Sequence, residues 1–405
     1  MIDLSKIKCV GCTACAAACP KSIIVMRKNE EGFQYPYIDD GDACVACGLC
    51  EKACPVLNFK PEVKCEQTAL IAQIMDDEIR KESASGGMFS AIALSVLEEG
   101  GVVYGAAYDR EFKVCHIGIS TKQDLWKLRN SKYVQSDLDG VFREIKTVLQ
   151  SGKKVCFSGT PCQIEGLREY LGKDYDNLLL VDVVCHGVSS PLIWDKYLET
   201  INQEDIAKIY FRWKHYGYKY STMSFFDRSN KEVYYAGVES DKMLRAYFSN
   251  SCDRENCYEC LFKKRYRRSD FTVWDCFQPK FFNRDFDDDR GTSGVLVHSD
   301  KGLKQLEKIL EMQLIKYQYV SPDELTFGNH EMIASVKKGD CRQELLKDAA
   351  ILSGQELFDK YFPDTRKTKL KKTIRLMLVY TGLYNTFKYA VFVYRRNRFR
   401  KQGEA

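Results

Sequence analysis

"CVGCTACAAACP" (residues 9–20) and "CVACGLCEKACP" (residues 44–55) set the reading of the N-terminal region. Both runs have the spacing C-x2-C-x2-C-x3-C-P of bacterial-type [4Fe–4S] sites, in which the fourth cysteine of each run ligates the other cluster. Cys9, Cys12, Cys15 and Cys54 are therefore expected to hold one cluster, and Cys44, Cys47, Cys50 and Cys19 the other. Disulfides do not suit the pattern, because cysteines so close together compete for one neighbourhood. Thiols at i, i+3 and i+6 let a tight turn present three sulfurs to one face of a cuboidal cluster. The small residues Gly11, Ala14 and Gly48 let backbone N–H groups approach those sulfurs. Structural zinc is the alternative for C-x2-C pairs, yet it uses neither the third cysteine of each run nor the Cys-Pro ending.

The chain is 405 residues long, too long for a ferredoxin and long enough for two or three domains. Its N-terminus, "MIDLSKIK", runs directly into the first cysteine motif, so no signal peptide is expected. Eighteen cysteines then point to a reducing cytoplasm, where thiols serve metals and redox chemistry. The net charge of +5 hides an asymmetry: residues 366–405 hold twelve Lys/Arg and one acid, so the rest of the chain is acidic.

After a linker at "NFKPEVK" (58–64) the pattern becomes α/β. "SASGGMFSAIALSVLEEGGVVYGAAYD" (83–109) reads as a glycine-rich loop, an apolar helix, a Gly-Gly turn and a strand. "GVFREIKTVLQSGKKVCFSGTPCQIEGLREYLG" (140–172) reads as helix, strand, loop and helix, and "LLLVDVVCHGVSSP" (178–191) as a buried strand entering a loop. Such alternation builds a sheet covered by helices, with ligand sites in the loops at its strand ends. "IYFRWKHYGYKYSTMSFFD" (209–227) mixes aromatic and basic residues, but its near-alternation reads as a β-hairpin rather than a nucleic-acid platform.

A second cysteine group lies in "CDRENCYECLFKKRYRRSD" (252–270), with Cys252, Cys257 and Cys260 spaced C-x4-C-x2-C. Three such thiols need a fourth ligand from elsewhere to complete an iron–sulfur site. Cys185 is the first choice, with Cys162 and Cys276 behind it. A zinc knuckle or plain buried thiols remain the alternative.

Taken together, "SASGG", "GGVVYGAAYD", "SKYVQS", "FSGTPCQIEGL", "VDVVCHGVSSP", "CYECLFKKRYRRSDFT" and "DDDRGTSGVLV" resemble the beta-subunit family of coenzyme F420 hydrogenase/dehydrogenase over roughly residues 65–345. The resemblance implies FAD, a further [4Fe–4S] cluster, and electron transfer between one-electron clusters and a two-electron carrier, coenzyme F420 in the family. It places Ser85, Gly86, Gly87, Lys132, Gly159, Thr160 and Gln163 at the flavin site, and Cys185, Cys252, Cys257 and Cys260 on the family's cysteine positions. One departure stands at "VWDCFQ", where Trp274, Cys276 and Gln278 replace the family's usual residues.

The expected fold is thus α+β. A small two-cluster ferredoxin-like domain (1–60) precedes a larger α/β flavin-binding domain with a mixed sheet (65–345) and a basic helical tail (346–405). The tail's uncharged core, Leu376–Phe387, is too short to span a bilayer. Its basic flanks suit peripheral contact with anionic lipid, or packing on the protein's own body or a partner. The expected activity is that of an iron–sulfur flavoprotein oxidoreductase served by a redox partner protein or ferredoxin. The alternatives are a ferredoxin-dependent reductase of a small organic substrate and a non-catalytic electron-transfer subunit.

Overall fold

The computed structural model describes residues 8–403; residues 1–7 of the expected ferredoxin domain and 404–405 of the tail lie outside them. The two cysteine runs flank an antiparallel hairpin, β1 (Ile24–Lys28) with β2 (Gln34–Ile38).

The body is built on eight strands: β3 (Thr68–Ile74), β4 (Val102–Tyr108), β5 (Val114–Ile119), β6 (Val155–Gly159), β7 (Leu178–Val183), β11 (Phe271–Asp275), β12 (Ser293–Val297) and β13 (Ile315–Val320). Their order is β13-β3-β12-β11-β7-β6-β4-β5. The central β11, β7, β6 and β4 are mutually parallel, and antiparallel neighbours close both edges, so the sheet is mixed as expected. Both faces are covered, which is why β7 opens on four apolar residues: Leu179 and Val181 face one layer and Leu178 and Leu180 the other, and the buried Asp182 that follows is paired with Arg267 at 3.0 Å.

On the first face the helices Met88–Glu98 and Asp300–Glu311 bury Ile92, Val96, Leu306 and Ile309 against the strands. On the second, Val141–Gln150 and Pro161–Leu171 bury Phe142, Ile145, Ile164 and Leu167. Val10, Cys12, Ala14 and Ala53 of the cysteine-rich segment join this second core, so that segment is packed onto the body. The aromatic-basic stretch forms the expected hairpin, β8 (Ile206–Trp213) with β9 (Thr222–Asp227), extended to three strands by β10 (Glu232–Gly237).

A further core under this small sheet includes Leu346, Ala349, Leu357, Phe358 and Phe362. Residues 346–362 therefore belong to the body, and the tail proper is the pair of helices Arg366–Tyr380 and Leu383–Gly403. They turn at Gly382, whose positive φ of 70° suits a residue without a Cβ.

Candidate functional site

The first two thiol sets gather as the cysteine spacing requires. Cys9, Cys12, Cys15 and Cys54 line one small cavity, and Cys19, Cys44, Cys47 and Cys50 line another. Among the described residues, no three His, Cys, Asp or Glu side chains converge on a point fit for a single metal ion. Four thiols around each cavity supply the ligand number of a cuboidal cluster. Burial pushes the Cys15 thiol up to about 12, with the neighbouring Cys9 and Cys54 adding to the rise. Four sulfurs gathered in such a place become stable thiolates only when a metal compensates their charge.

This segment is tied to the body by side chains of the body itself. Arg254, fully buried, donates from Nε to Cys9 O (2.9 Å) and from Nη1 to Gln135 Oε1 (2.9 Å), and lies over the Tyr35 ring. Gln135 in turn donates to Val10 O at 3.2 Å. Arg143 caps the short helix Ala14–Ala18, donating to the carbonyls of Ala16 (2.7 Å) and Ala17 (3.0 Å). Arg342 grips Glu31 through both guanidinium nitrogens, at 2.7 and 2.8 Å.

The third cysteine group differs from its sequence reading in one member. Cys185 is brought to Cys162 and Cys260, and Cys257 to Cys185 and Cys162, closely enough that each thiol makes ionisation of its neighbours harder. Burial pushes both Cys162 and Cys185 up to about 12. Cys252 is not in this group. It is packed in the core beneath the small sheet, beside Asp253, Arg342 and Cys341. Cys276, the other reserve ligand, is buried instead in a separate apolar cluster with Phe286 and Leu325.

The helix Pro161–Leu171 joins the first and third groups. Gly166 sits where a Cβ would fall 2.7 Å from Cys12 Sγ, so only glycine allows this approach. Cys162 lies four residues earlier on the same helix face, about one turn or 6 Å along the axis.

Beyond Cys185 opens a cleft of about 790 Å³, in the range of cofactor sites. It lies at the carboxyl ends of the parallel strands, where Gly159 and Thr160 follow β6, Cys185 and His186 follow β7, and Cys276 and Gln278 follow β11. Of the residues expected at a flavin site, Ser85, Gly87, Lys132, Gly159, Thr160 and Gln163 line it. Gly86 does not line it; it lies under the loop, where a Cβ would come 2.3 Å from Ala72 O and 2.5 Å from Ser293 N.

Two of these residues have structural duties. Gln163 completes the capping box of its helix, accepting from Thr160 N at 2.9 Å and donating to Ser136 Oγ at 3.0 Å. Ser85 Oγ is bonded to Ser293 Oγ at 2.8 Å. Lys132 is more exposed to demand from a ligand. Among the described residues its ammonium donates only to the carbonyls of Arg129 (3.0 Å) and Asn130 (3.4 Å), and burial pushes it down to about 7. A buried cation with no carboxylate bonded to it suits an anionic group such as a phosphate.

His116 and Gln278 are cleft acceptors that the sequence motifs do not reveal. Burial pushes His116 down to about 4; its Nε2 meets Ser158 O at 3.0 Å, while Nδ1 has no partner among the described residues. The neutral ring thus keeps an acceptor free, and buried Gln278 Oε1 is likewise unpartnered. Orphaned acceptors in a cleft of this size are what a polar heterocycle would satisfy.

The tail packs on the body. Arg375 meets Glu239 at 3.0 Å and Arg396 donates to Glu324 at 2.6 Å. Leu370, Ile374 and Met377 remain exposed on the outer side. No helix among the described residues is long and apolar enough to cross a membrane.

Three family models match this chain. Residues 8–58 match the model of a 4Fe-4S dicluster domain. Residues 69–143 and 152–323 match the N-terminal and C-terminal models of the coenzyme F420 hydrogenase/dehydrogenase beta subunit. One of the subunits of the F(420)H(2) dehydrogenase of Methanosarcina mazei is 22% identical over 220 residues, 50% of this chain and 61% of that protein. An uncharacterized protein of Methanocaldococcus jannaschii is 26% identical over 206 residues, 42% of this chain and 55% of its own length. The matched region thus spans less than two thirds of either relative. The VorC subunit of the ketoisovalerate oxidoreductase of Methanothermobacter marburgensis is 33% identical over 57 residues, 14% of this chain and 71% of that protein. A chain of the F420-reducing [NiFe] hydrogenase complex of Methanosarcina barkeri aligns with a TM-score of 0.46 and 19% identity, covering 78% of this chain and 94% of that one. With both of its models matched in order behind a dicluster domain, this chain belongs to the coenzyme F420 hydrogenase/dehydrogenase beta-subunit family.

Proposed function

We propose that this protein is an electron-relaying oxidoreductase subunit that holds three [4Fe–4S] clusters and FAD. The ligand sets are Cys9, Cys12, Cys15 and Cys54; Cys19, Cys44, Cys47 and Cys50; and Cys162, Cys185, Cys257 and Cys260. Bound there, clusters supply one-electron steps and a flavin couples them to a two-electron acceptor. Coenzyme F420, named in the family's description, is the acceptor class favoured by membership.

The observation that carries this reading is contiguity. Gly166 touches Cys12, Cys162 lies one turn away on the same helix, and Cys185 both faces Cys162 and lines the cleft. The chain's own residues fix that line. Arg254 and Gln135 anchor the Cys9–Val10 backbone, and Lys263 Nζ holds the Cys185 loop by donating to the Cys185 and His186 carbonyls. Lys132 is the cation assigned to the flavin's phosphates, and His116 Nδ1 the acceptor for a ring N–H.

Lys132→Ala tests the cleft assignment. A charge-assisted hydrogen bond to phosphate contributes about 1.5–3 kcal/mol, so FAD should bind about ten- to a hundredfold more weakly. Iron content should not change. FAD affinity is read from the flavin fluorescence regained on release. Unchanged affinity would remove Lys132 from the site, and a wild-type protein that retains no FAD would remove the flavin.

A further inference from the structure

The tail lies beyond the family match, which ends at residue 323, yet Arg375, Tyr384, Lys388 and Phe392 all line the cleft. Their placement is held at several points. Tyr384 is 8% exposed, its ring 5.8 Å from that of Tyr220, and Asn385 donates to Asp289 at 3.2 Å. Phe392 meets Phe281 edge-on at 5.9 Å, and the Arg396 guanidinium covers the same Phe281 ring at 3.7 Å. A basic, apolar helix is thereby one wall of the cleft.

The cations around this wall are not equivalent. Arg212 is paired with Asp275 at 2.8 Å, Lys219 with Asp287, and Arg375 with Glu239 at 3.0 Å. Lys388 is bonded to no carboxylate among the described residues: its Nζ reaches the Lys219 carbonyl at 3.5 Å and stands 5.1 Å from the centre of the Tyr384 ring. Arg375, Arg212 and Lys219 surround it, with Asp289 as the opposing charge. Burial and those three cations push its ammonium down to about 8. A desolvated cation among cations is costly unless an anion joins it.

Resting on the reading of this cleft as the redox site, we infer that Lys388, backed by Arg375 and Lys219, is an anion subsite that binds a phosphate group of the substrate. Tyr220 and Tyr384 flank it with aromatic surface, so a phosphorylated compound fits this wall better than a neutral one. The tail then sets specificity for the two-electron partner rather than serving only as a surface appendage.

The test is calorimetric titration of inorganic pyrophosphate into the anaerobically purified full chain, with and without saturating FAD. The FAD-saturated wild type should bind pyrophosphate. Lys388→Glu should weaken binding about tenfold or more, whereas Lys388→Arg should stay near wild type, since its charge is kept. Iron and FAD contents of both variants should equal those of the wild type. Binding unaffected by Lys388→Glu would overturn the subsite, as would a wild type that takes no pyrophosphate at millimolar concentration. Pyrophosphate that binds only FAD-free protein and is displaced by FAD would assign these cations to the cofactor, which also overturns it. Lys388-dependent binding to a protein that holds no FAD would keep the subsite and sink the flavin reading instead.

Discussion

Cys162→Ser and Cys185→Ser should each cost about four of roughly twelve iron atoms per chain, while Cys252→Ser should cost none. The spacing C-x4-C-x2-C groups Cys252 with Cys257 and Cys260, so the contrast between Cys162 and Cys252 separates the folded arrangement from the linear motif. Cys162 and Cys185 share a site with Cys257 and Cys260, while Cys252 is among apolar side chains with Cys341 as its neighbouring thiol. Serine at Cys252 leaves a buried hydroxyl in an apolar core, a cost of about 1–3 kcal/mol that lowers stability without touching iron. Iron and acid-labile sulfide, measured on anaerobically reconstituted protein, report the result. Loss of four iron atoms from Cys252→Ser with full iron in Cys162→Ser would restore the sequence assignment.

Gly166→Val should disturb the first cluster although residue 166 ligates nothing. A Cβ there would lie 2.7 Å from Cys12 Sγ and 2.8 Å from Cys12 Cβ, closer than side-chain contacts tolerate. Either the helix Pro161–Leu171 moves or the cysteine segment lifts away. Overpacking of this kind costs about 1–3 kcal/mol, enough to loosen a segment whose seat depends on this contact. The expected signs are lower melting temperature, faster loss of iron to a chelator, and slower reduction of the third cluster. Lys173→Val, an exposed position after the same helix, should show none of them. A Gly166→Val protein with wild-type iron retention and reduction kinetics would contradict the close seating of the two sites.

Local chemistry makes much of this fold legible. Cysteines three residues apart followed by Cys-Pro carry their own geometry, and the cavities lined by the crossed sets Cys9, Cys12, Cys15 and Cys54, and Cys19, Cys44, Cys47 and Cys50, agree with it. The helix–turn–strand unit at residues 83–109 and the helix–strand–loop–helix unit at 140–172 are readable because apolar periodicity and glycine breaks coincide. Partnership across long sequence distances is not. Cys162 lies in "FSGTPCQIEGL" among turn residues, and only the closing of β6 against β7 brings it to Cys185. Arg254 reads as one charge in a polar stretch, and its burial against Cys9 depends on how the cysteine segment docks. Residues 346–362 read as tail because they lie beyond the family resemblance, yet Leu346, Leu357, Phe358 and Phe362 complete the body's core. The motif around Gln163 reads as a ligand contact, and its side chain both lines the cleft and caps a helix, a second duty that the motif does not reveal.

Whether three cluster sites end at a flavin cleft within this one chain is decided most directly by counting electrons. The measurement is an anaerobic dithionite titration of the full-length protein, followed by visible absorbance and by flavin release on denaturation. Each [4Fe–4S] cluster takes one electron and FAD takes two, so about five reducing equivalents per chain and one FAD are expected. Uptake of about two equivalents with no FAD released would contradict this arrangement, leaving a dicluster ferredoxin fused to a redox-silent body.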